Sequence, residues 1–535
     1  MKKNIFLCCL LLCMFAGRIN AQLVNIIPYP QKVEMTDGVC DFQQLDRIFI
    51  AGDQTMEPAA ALLQEQLETF GIRASISQKK KRGGIIVLET DAGIAHPEGY
   101  RLTVRRHQVC IQASSYNGMI CGIQSLLQMA NAKEKINCCR IEDEPRYEWR
   151  GYMLDEARHF QGEKKVKQLI DLLSYYKINR FHWHLTDEQG WRIEIKAYPR
   201  LTQVGAIGNN SDPKAPAAFY TQEQIRDIVH YAAQRGIEVV PEIDMPGHAG
   251  ASNRSYPEYQ ALGTDTHPDF CFNPGKEETY QYLTNILREI TELFPSNYIH
   301  IGGDEVSFGN ANWEKDEHIA KLMKREHLTN AREVEIYFLR RMIGVVNSLG
   351  KTAMEWDDIY GDGIGPDGNV ITWWRHDKAD KPRKMINDGF KLILCPRRPL
   401  YFDFVQHDSH KSGRRWDGFC PLEDVYAFPD NMLGKWGVTE NDMKQGVMGL
   451  QANLWGETTH TSERVDFLTF PRIMALAESA WTTAEQKDYD SFLNRLEDDY
   501  DYLDKQGIYY FDARQPEAHP EALGPDFTVR KVVKD

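Results

Sequence analysis

The feature that most limits the fold is an alternation. Between residue 146 and about residue 480, eight short apolar, β-rich runs are spaced by stretches of helical periodicity, the pattern of a parallel sheet wrapped by helices. The strand candidates are Gly151 to Asp155, Arg180 to Leu185, Glu238 to Ile243, Tyr298 to Gly302, Thr352 to Trp356, Val370 to Trp374, Lys391 to Cys395 and Val447 to Asn453. Amphipathic stretches at Lys164 to Tyr176, Gln222 to Arg235, Glu277 to Phe294 and Val334 to Leu349 separate several of them. Eight βα units in ~330 residues fit a (β/α)8 TIM barrel, a fold whose chemistry sits at the C-terminal ends of the strands. A doubly wound open sheet is the structural rival, but it usually has fewer strands and carries a Gly-rich phosphate turn that this sequence lacks.

The flanks suggest further units. Residues 22–145 mix strand runs (Gly84 to Glu89, Tyr100 to Val104, Val109 to Ala113) with helical ones (Ala59 to Phe70, Gly118 to Met129), which reads as a small α/β domain joined to the barrel (residues 146–485) by the Glu-Asp-Glu-Pro stretch at 142–145. Residues 486–535 read as a charged helix running toward Gln506 and a loosely ordered Pro-rich tail. At the other end, Lys2-Lys3, an apolar run from Ile5 to Phe15 and Ile19-Asn20-Ala21 form the three parts of a signal peptide over residues 1–21. Export to the periplasm or the extracellular space is therefore expected. The apolar run is too short to span a bilayer and no other run reaches membrane length. Lipid anchoring is not expected, because Cys8 and Cys13 each follow a leucine rather than a small residue.

The formal net charge of −14 argues against a nucleic acid or an anionic membrane face as partner. Lys79-Lys80-Lys81-Arg82 is a basic run that reads as a solvated turn. The eight cysteines beyond the leader are scattered and form no C-x-x-C pair, so buried free thiols are the default reading, with room for one or two disulfides.

The residues that follow each strand candidate carry the chemistry. In chain order they are Asp155 with Arg158-His159; Asp187-Glu188-Gln189-Gly190-Trp191-Arg192; Glu242 to His248; Gly302-Gly303-Asp304-Glu305; Trp356-Asp357; Trp373-Trp374; Tyr401-Phe402-Asp403; and Trp455-Gly456-Glu457. Nearly every end bears a carboxylate or a tryptophan, the equipment of a sugar pocket: indole faces pack on the C–H face of a pyranose while acids and arginine hold its hydroxyls. The adjacent acids Asp304 and Glu305 resist being ionised together, so one would hold a proton near neutrality and serve as a general acid. Neighbouring residues of one strand point apart, whereas a glycosidase with its own nucleophile flanks the sugar with carboxyls ~5 to 5.5 Å apart. An adjacent pair better suits one acid on the leaving oxygen and one positioning a group of the substrate, which would then supply the nucleophile.

At this point the sequence resembles a known family. His300-Ile301-Gly302-Gly303-Asp304-Glu305 looks like the hallmark of family 20 glycoside hydrolases, the β-N-acetylhexosaminidases. Similar segments follow the family's order: Arg150 to Phe160, His184 to Arg192, Pro241 to His248, Trp356-Asp357, Tyr401 with Asp403, Trp455 with Glu457, and Pro471 to Trp481. Ile27-Pro28-Tyr29-Pro30 and the region from Glu98 to Gln128 resemble its N-terminal domain. The family is a known substrate-assisted exception to the two-carboxylate scheme, so the stereochemical point agrees with the resemblance and does not add to it.

The resemblance implies an exo-acting enzyme that removes terminal N-acetylhexosamine from glycans with net retention and needs no metal or cofactor. Glu305 would be the acid and then the base; Asp304 would orient the 2-acetamido group, whose carbonyl Tyr401 would bond. Trp356, Trp374 and Trp455 would wall the pocket, with Trp373 the alternative to Trp374 because the doublet leaves the alignment ambiguous. Arg158, Asp403 and Glu457 would hold ring hydroxyls, and Asp187, Asp244, His248 and His300 would support the acids. Glu188 departs from the second Asp common in relatives without changing the charge. Two rivals differ in class: a metal-dependent amidohydrolase, suggested by His182-Trp183-His184, whose further ligands are missing from strands five, six and eight, and a sugar-binding protein without turnover, which retention of Asp304, Glu305 and Tyr401 argues against.

Overall fold

The computed structural model describes residues 24–524 apart from 53, 78–83, 133, 362 and 417, so the expected signal peptide and the basic run at 79–82 lie outside the described residues. The first unit is a mixed seven-stranded sheet of β1 (Lys32–Asp41), β2 (Arg47–Ala51), β3 (Ser75–Ser77), β4 (Ile85–Thr90), β5 (Tyr100–Arg105), β6 (Gln108–Ala113) and β7 (Lys135–Asp143) in the order β1-β7-β5-β6-β4-β2-β3. Two helices, Glu57–Thr69 and Tyr116–Ala132, accompany it. Four of these strands go beyond the three that the sequence suggests. The stretch expected to be a linker lies partly inside β7, which ends at Asp143 and buries Ile136, Cys138 and Ile141 in alternation.

The second unit is the expected barrel. Its strands are β8 (Trp149–Asp155), β9 (Arg180–His184), β10 (Glu238–Glu242), β11 (Tyr298–His300), β12 (Thr352–Trp356), β13 (Asn369–Trp373), β14 (Lys391–Leu394) and β15 (Val447–Leu454), closed in chain order with β15 beside β8. All pairings are parallel, and each sequence candidate coincides with one strand to within a few residues. Inward-facing Trp149, Val240, Met354, Val370 and Ile393 fill the barrel's lower half with apolar side chains. Polar groups are left to the upper end, where the strand ends open. The alternative open sheet is excluded by the closure.

The C-terminal helix (Tyr489–Lys505) packs back on the molecule, and the segment beyond it is more ordered than its composition suggests. Tyr510 stacks on Tyr500 with ring centroids 4.4 Å apart, Phe511 is buried, and Glu521 accepts from the amides of Lys411 and Ser412. Aromatic anchors hold what proline content alone would leave loose. The eight cysteines of the described chain are free thiols, seven of them buried. No helix among the described residues is long and apolar enough to cross a membrane.

Candidate active site

The acid turn begins where β11 stops. After His300 the backbone takes positive φ at Gly302 (71°), Gly303 (90°) and Glu305 (50°). A Cβ at position 302 would lie 2.2 Å from Asp244 Oδ1, so only glycine fits there. The left-handed turn at Glu305 undoes the divergence expected of strand neighbours. His248, itself at φ 52°, places Nε2 3.7 Å from Asp304 Oδ2 and 3.5 Å from Glu305 Oε2, so one imidazole reaches both carboxylates. The expectation that the two acids point apart is therefore corrected: they lie past the strand, in a turn, where strand alternation no longer governs.

Their electrostatics follow from burial. Burial pushes the Asp304 carboxyl up to about 7, with His248 opposing and the neighbouring Glu305 charge adding to the rise. Burial acts on Glu305 too, but the contact with His248 outweighs it and holds that carboxyl below its usual value. His248 stays protonated well above the usual histidine range, since Asp187 and Asp304 outweigh its desolvation. The pair thus holds one proton near neutral pH, as adjacent carboxylates should.

Behind them runs a chain of alternating charge. Asp187 Oδ1 lies 3.2 Å from His248 Nδ1, and its Oδ2 meets His184 Nε2 at 3.0 Å and an Arg158 guanidinium nitrogen at 2.7 Å. Burial opposes the Asp187 charge, but Arg158 and His248 hold its carboxyl far below the usual range. Asp244, beside His184 at 3.6 Å, is pushed the other way by burial and by the Glu242 charge. His300 does not touch the acids: its Nδ1 lies 2.9 Å from Glu242 Oε1 and 3.1 Å from the Gly302 amide, and Nε2 meets Thr372 at 2.8 Å. Both histidines of the His182-Trp183-His184 segment face the same Glu242.

The walls are aromatic. Trp356, Trp374, Tyr401 and Trp455 form one buried cluster with Met153, Cys395, Phe404 and Cys420, and Trp416 packs against it. Trp374 stacks on Tyr401 (6.3 Å, 13°) and donates Nε1 to Asp358 at 2.8 Å, whereas Trp373 turns into the main core against Trp436. Of the doublet, Trp374 lines the pocket. The Trp455 ring lies 5.7 Å from Trp356 and 6.0 Å from Tyr401, and burial keeps the Tyr401 phenol protonated.

At the hydroxyl-binding end Arg158 lies 5.1 Å over Trp455, aimed by Asp155, which accepts from its side chain at 3.0 Å and from the Gly456 amide at 2.8 Å. Arg414 spans Asp403 and Glu457, pairing with both. Burial nevertheless pushes the Asp403 carboxyl up to about 7, while Arg414 and Arg158 outweigh burial at Glu457 and lower it. All thirteen residues proposed for the site thus gather at one barrel end. Sequence reasoning missed Arg414 and Trp416, which come from the loop after β14, and gave no role to Asp155, Glu242 or Asp358. A tryptophan beside two arginines in a polar loop was the available signal for the first pair.

Comparison with known proteins gives the family. The model "Glycosyl hydrolase family 20, catalytic domain" matches residues 147–484, and "Glycosyl hydrolase family 20, domain 2" matches residues 23–144. A beta-hexosaminidase of Porphyromonas gingivalis is 34% identical over 533 residues, covering 94% of this chain and 67% of that protein. One of Vibrio furnissii is 34% identical over 489 residues, covering 87% and 77%. Among solved structures, an exo beta-N-acetylglucosaminidase of Vibrio harveyi in complex with N-acetylglucosamine aligns at a TM-score of 0.83 with 33% identity, covering 91% of this chain and 78% of that one. A beta-N-acetylhexosaminidase of Bacteroides fragilis aligns at 0.79 with 32% identity, covering 91% and 96%. The chain belongs to glycosyl hydrolase family 20.

Proposed function

We propose that Asp304 and Glu305 divide the work of an exo-acting, retaining β-N-acetylhexosaminidase, the activity that family membership assigns to this chain. The observation that carries this division is the single imidazole, His248, within reach of two neighbouring carboxylates that share a proton beside a tryptophan-walled pocket. By the protein's own groups alone, the proton favours Asp304. A bound sugar changes that balance: its acetamide N–H donates to the Asp304 carboxylate, while the glycosidic oxygen faces Glu305, so the proton moves to Glu305.

Glu305 then gives that proton to the leaving oxygen as the C1–O bond breaks. The acetamide carbonyl oxygen attacks C1 from the opposite face, with Asp304 stabilising the positive charge of the oxazolinium ring and Tyr401 donating to the carbonyl oxygen. Glu305, now ionised, takes a proton from water as that water opens the ring, and the two inversions give retention. Trp356, Trp374 and Trp455 enclose the acetamide and the sugar; Arg158, Asp403 and Glu457 bind its hydroxyls and set the depth of an exo-acting pocket. Asp187, Asp244 and His300 support the acids through His248, His184 and Glu242.

A panel of aryl 2-acetamido glycosides in gluco and galacto configuration, with the matching glucoside lacking the acetamide, tests the mechanism. Turnover of the acetamido sugars and none of the control is expected. Equal hydrolysis of the control would sink the acetamide-nucleophile reading. We further read residues 1–21 as an export leader, ahead of units at 22–145, 146–485 and 486–535. N-terminal sequencing of the mature protein should start at Gln22, and an intact Met1 start in the cytoplasm would overturn export.

A further inference from the structure

Glu242 is buried completely at the end of β10, and groups from three neighbouring strands converge on it. Oε1 accepts from the Trp356 indole at 2.8 Å and lies 2.9 Å from His300 Nδ1. Oε2 meets His184 Nδ1 at 2.7 Å and lies 2.9 Å from His182 Nε2. His182 is turned that way because its other nitrogen, Nδ1, faces the Gln451 amide at 3.0 Å. An acid so deep is costly unless its oxygens are all met by donors, and here they are. No sugar can reach it. Two of its contacts nonetheless end in the pocket: Trp356 is a wall, and His184 leads through Asp187 and His248 to Glu305.

We propose that Glu242 is the positioning residue of this pocket, one buried anion that sets the Trp356 wall and, through His184, the row of groups behind Glu305. The inference rests on the acetamide-assisted reading above. The Glu242 carboxylate gives the Trp356 N–H a fixed acceptor that adds to packing in setting the angle of the ring, so without it the ring keeps its packing but loses that restraint. The titratable groups facing Glu242 are His182 and His184 from β9, Asp244 from its own strand's extension, His300 and Asp304 from β11 and its turn, and Cys395 beyond β14. Among these, Asp244 is the acid whose ionisation the Glu242 charge suppresses most, after burial. Taking away the Glu242 charge alters the field at Asp304 both directly and by letting Asp244 ionise beside His184, and so moves the pH at which the catalytic pair gives up its proton.

The decisive comparison is Glu242→Gln against Glu242→Asp and Asp304→Asn, each checked for folding by circular dichroism and thermal melt. Glu242→Gln is expected to fold, lose about 10²-fold in kcat/KM through misplacement of the reacting groups, and shift the acidic limb of its pH profile. Glu242→Asp, which keeps the charge, should restore the limb. A folded Glu242→Gln with an unmoved limb, or a loss equal at every pH that Glu242→Asp shares, would overturn the proposal. If Glu242→Gln does not fold, Trp356→Phe carries the test, since it removes the donor, with some ring area, and leaves the Glu242 charge in place: KM should rise about tenfold with the limb unmoved, and an unchanged KM overturns the link to the wall. Asp304→Asn separates the two readings, because a near wild-type Asp304→Asn defeats the mechanism itself, whereas an inactive Asp304→Asn beside a wild-type Glu242→Gln defeats the positioning role only.

Discussion

Two places in the molecule combine a buried tryptophan with buried ions, and they do opposite things. At the seam between the first sheet and the barrel, Arg150 and Lys177 lie 4.9 and 4.7 Å over Trp481. Glu98 there accepts on both oxygens from Arg150 and Asn179, and Asp143 accepts from Tyr100, from the Trp481 indole and from the Gln31 amide. In the pocket, Arg158 lies over Trp455 in the same manner, but Glu457 Oε2 is buried with no hydrogen bond from any described residue. The ingredients match, and the satisfaction differs. A network whose acceptors are all met by the protein holds units together; one that leaves an acceptor unmet beside a tryptophan-walled pocket can take a donor from a ligand.

The sharpest way to break this distinction is at the acids. Glu305→Gln should cut kcat by about 10² to 10⁴ for aryl glycosides with poor leaving groups and much less for activated ones, because only the former need protonation. Asp304→Asn should cut it for every acetamido substrate. Neither change should lower the melting temperature appreciably. A Glu305→Gln loss independent of the leaving group would mean that the acid has been misassigned.

The seam answers in the opposite measure. Glu98→Ala leaves Arg150 buried with its main partner gone, and should cost about 3 to 5 kcal/mol in denaturant unfolding. The protein that remains folded should keep its KM. A stable Glu98→Ala, or one with a raised KM and unchanged stability, would erase the contrast between seam and pocket.

Part of this contrast was legible in the sequence and part was not. The eight barrel strands could be read because each is a short apolar run flanked by breakers, and the site residues followed because a TIM barrel places its chemistry just after such runs. In the first unit the same reasoning found three strands of seven. β1 buries only Cys40 and is polar at Lys32, Glu34, Asp37 and Asp41, and β7 ends in the acids that suggested a linker. Edge strands and polar strand ends lack the apolar signal. Glu242 and Asp155 were visible as letters, but a role for either depends on which groups the neighbouring strands bring within 3 Å. The loop that returns Arg414 to Asp403 is tied by backbone bonds from Arg414 to Asp403 and from Val405 to Arg414, which no local pattern announces.

A middle-sized effect should separate stability from function within the pocket itself. Asp403 is an acid whose folded value, about 7, lies above the unfolded one near 3.8, chiefly through burial. The folded state then binds the extra proton between those values, so its stability is lost progressively as pH rises through that window and does not return above it. Asp403→Asn removes the penalty. At pH 8 it should raise the unfolding free energy by about 1 to 2 kcal/mol while raising KM for the sugar at least tenfold. At pH 4 the stability difference should vanish. A variant destabilised at pH 8 would show that Arg414 already compensates the charge in full.

The smallest effect concerns the tryptophan doublet and the finest point of the comparison. Trp373 and Trp374 are adjacent, so one must face the helices when the other faces the pocket. Trp373 is fully buried against Trp436 with its indole nitrogen unbonded, and Trp374 spends its nitrogen on Asp358. Trp373→Phe loses some packing area and also sheds an unmet donor, so the two terms oppose and stability should change by only about 1 kcal/mol. Its kcat/KM should stay within about twofold of the parent, because no pocket contact is touched. Trp374→Phe frees Asp358 and Arg375 and tilts a wall, and its KM should rise about tenfold with little change in melting temperature. Reversal of the two outcomes would put Trp373 at the sugar, and would require β13 to enter the barrel one residue out of the register paired with β12 and β14.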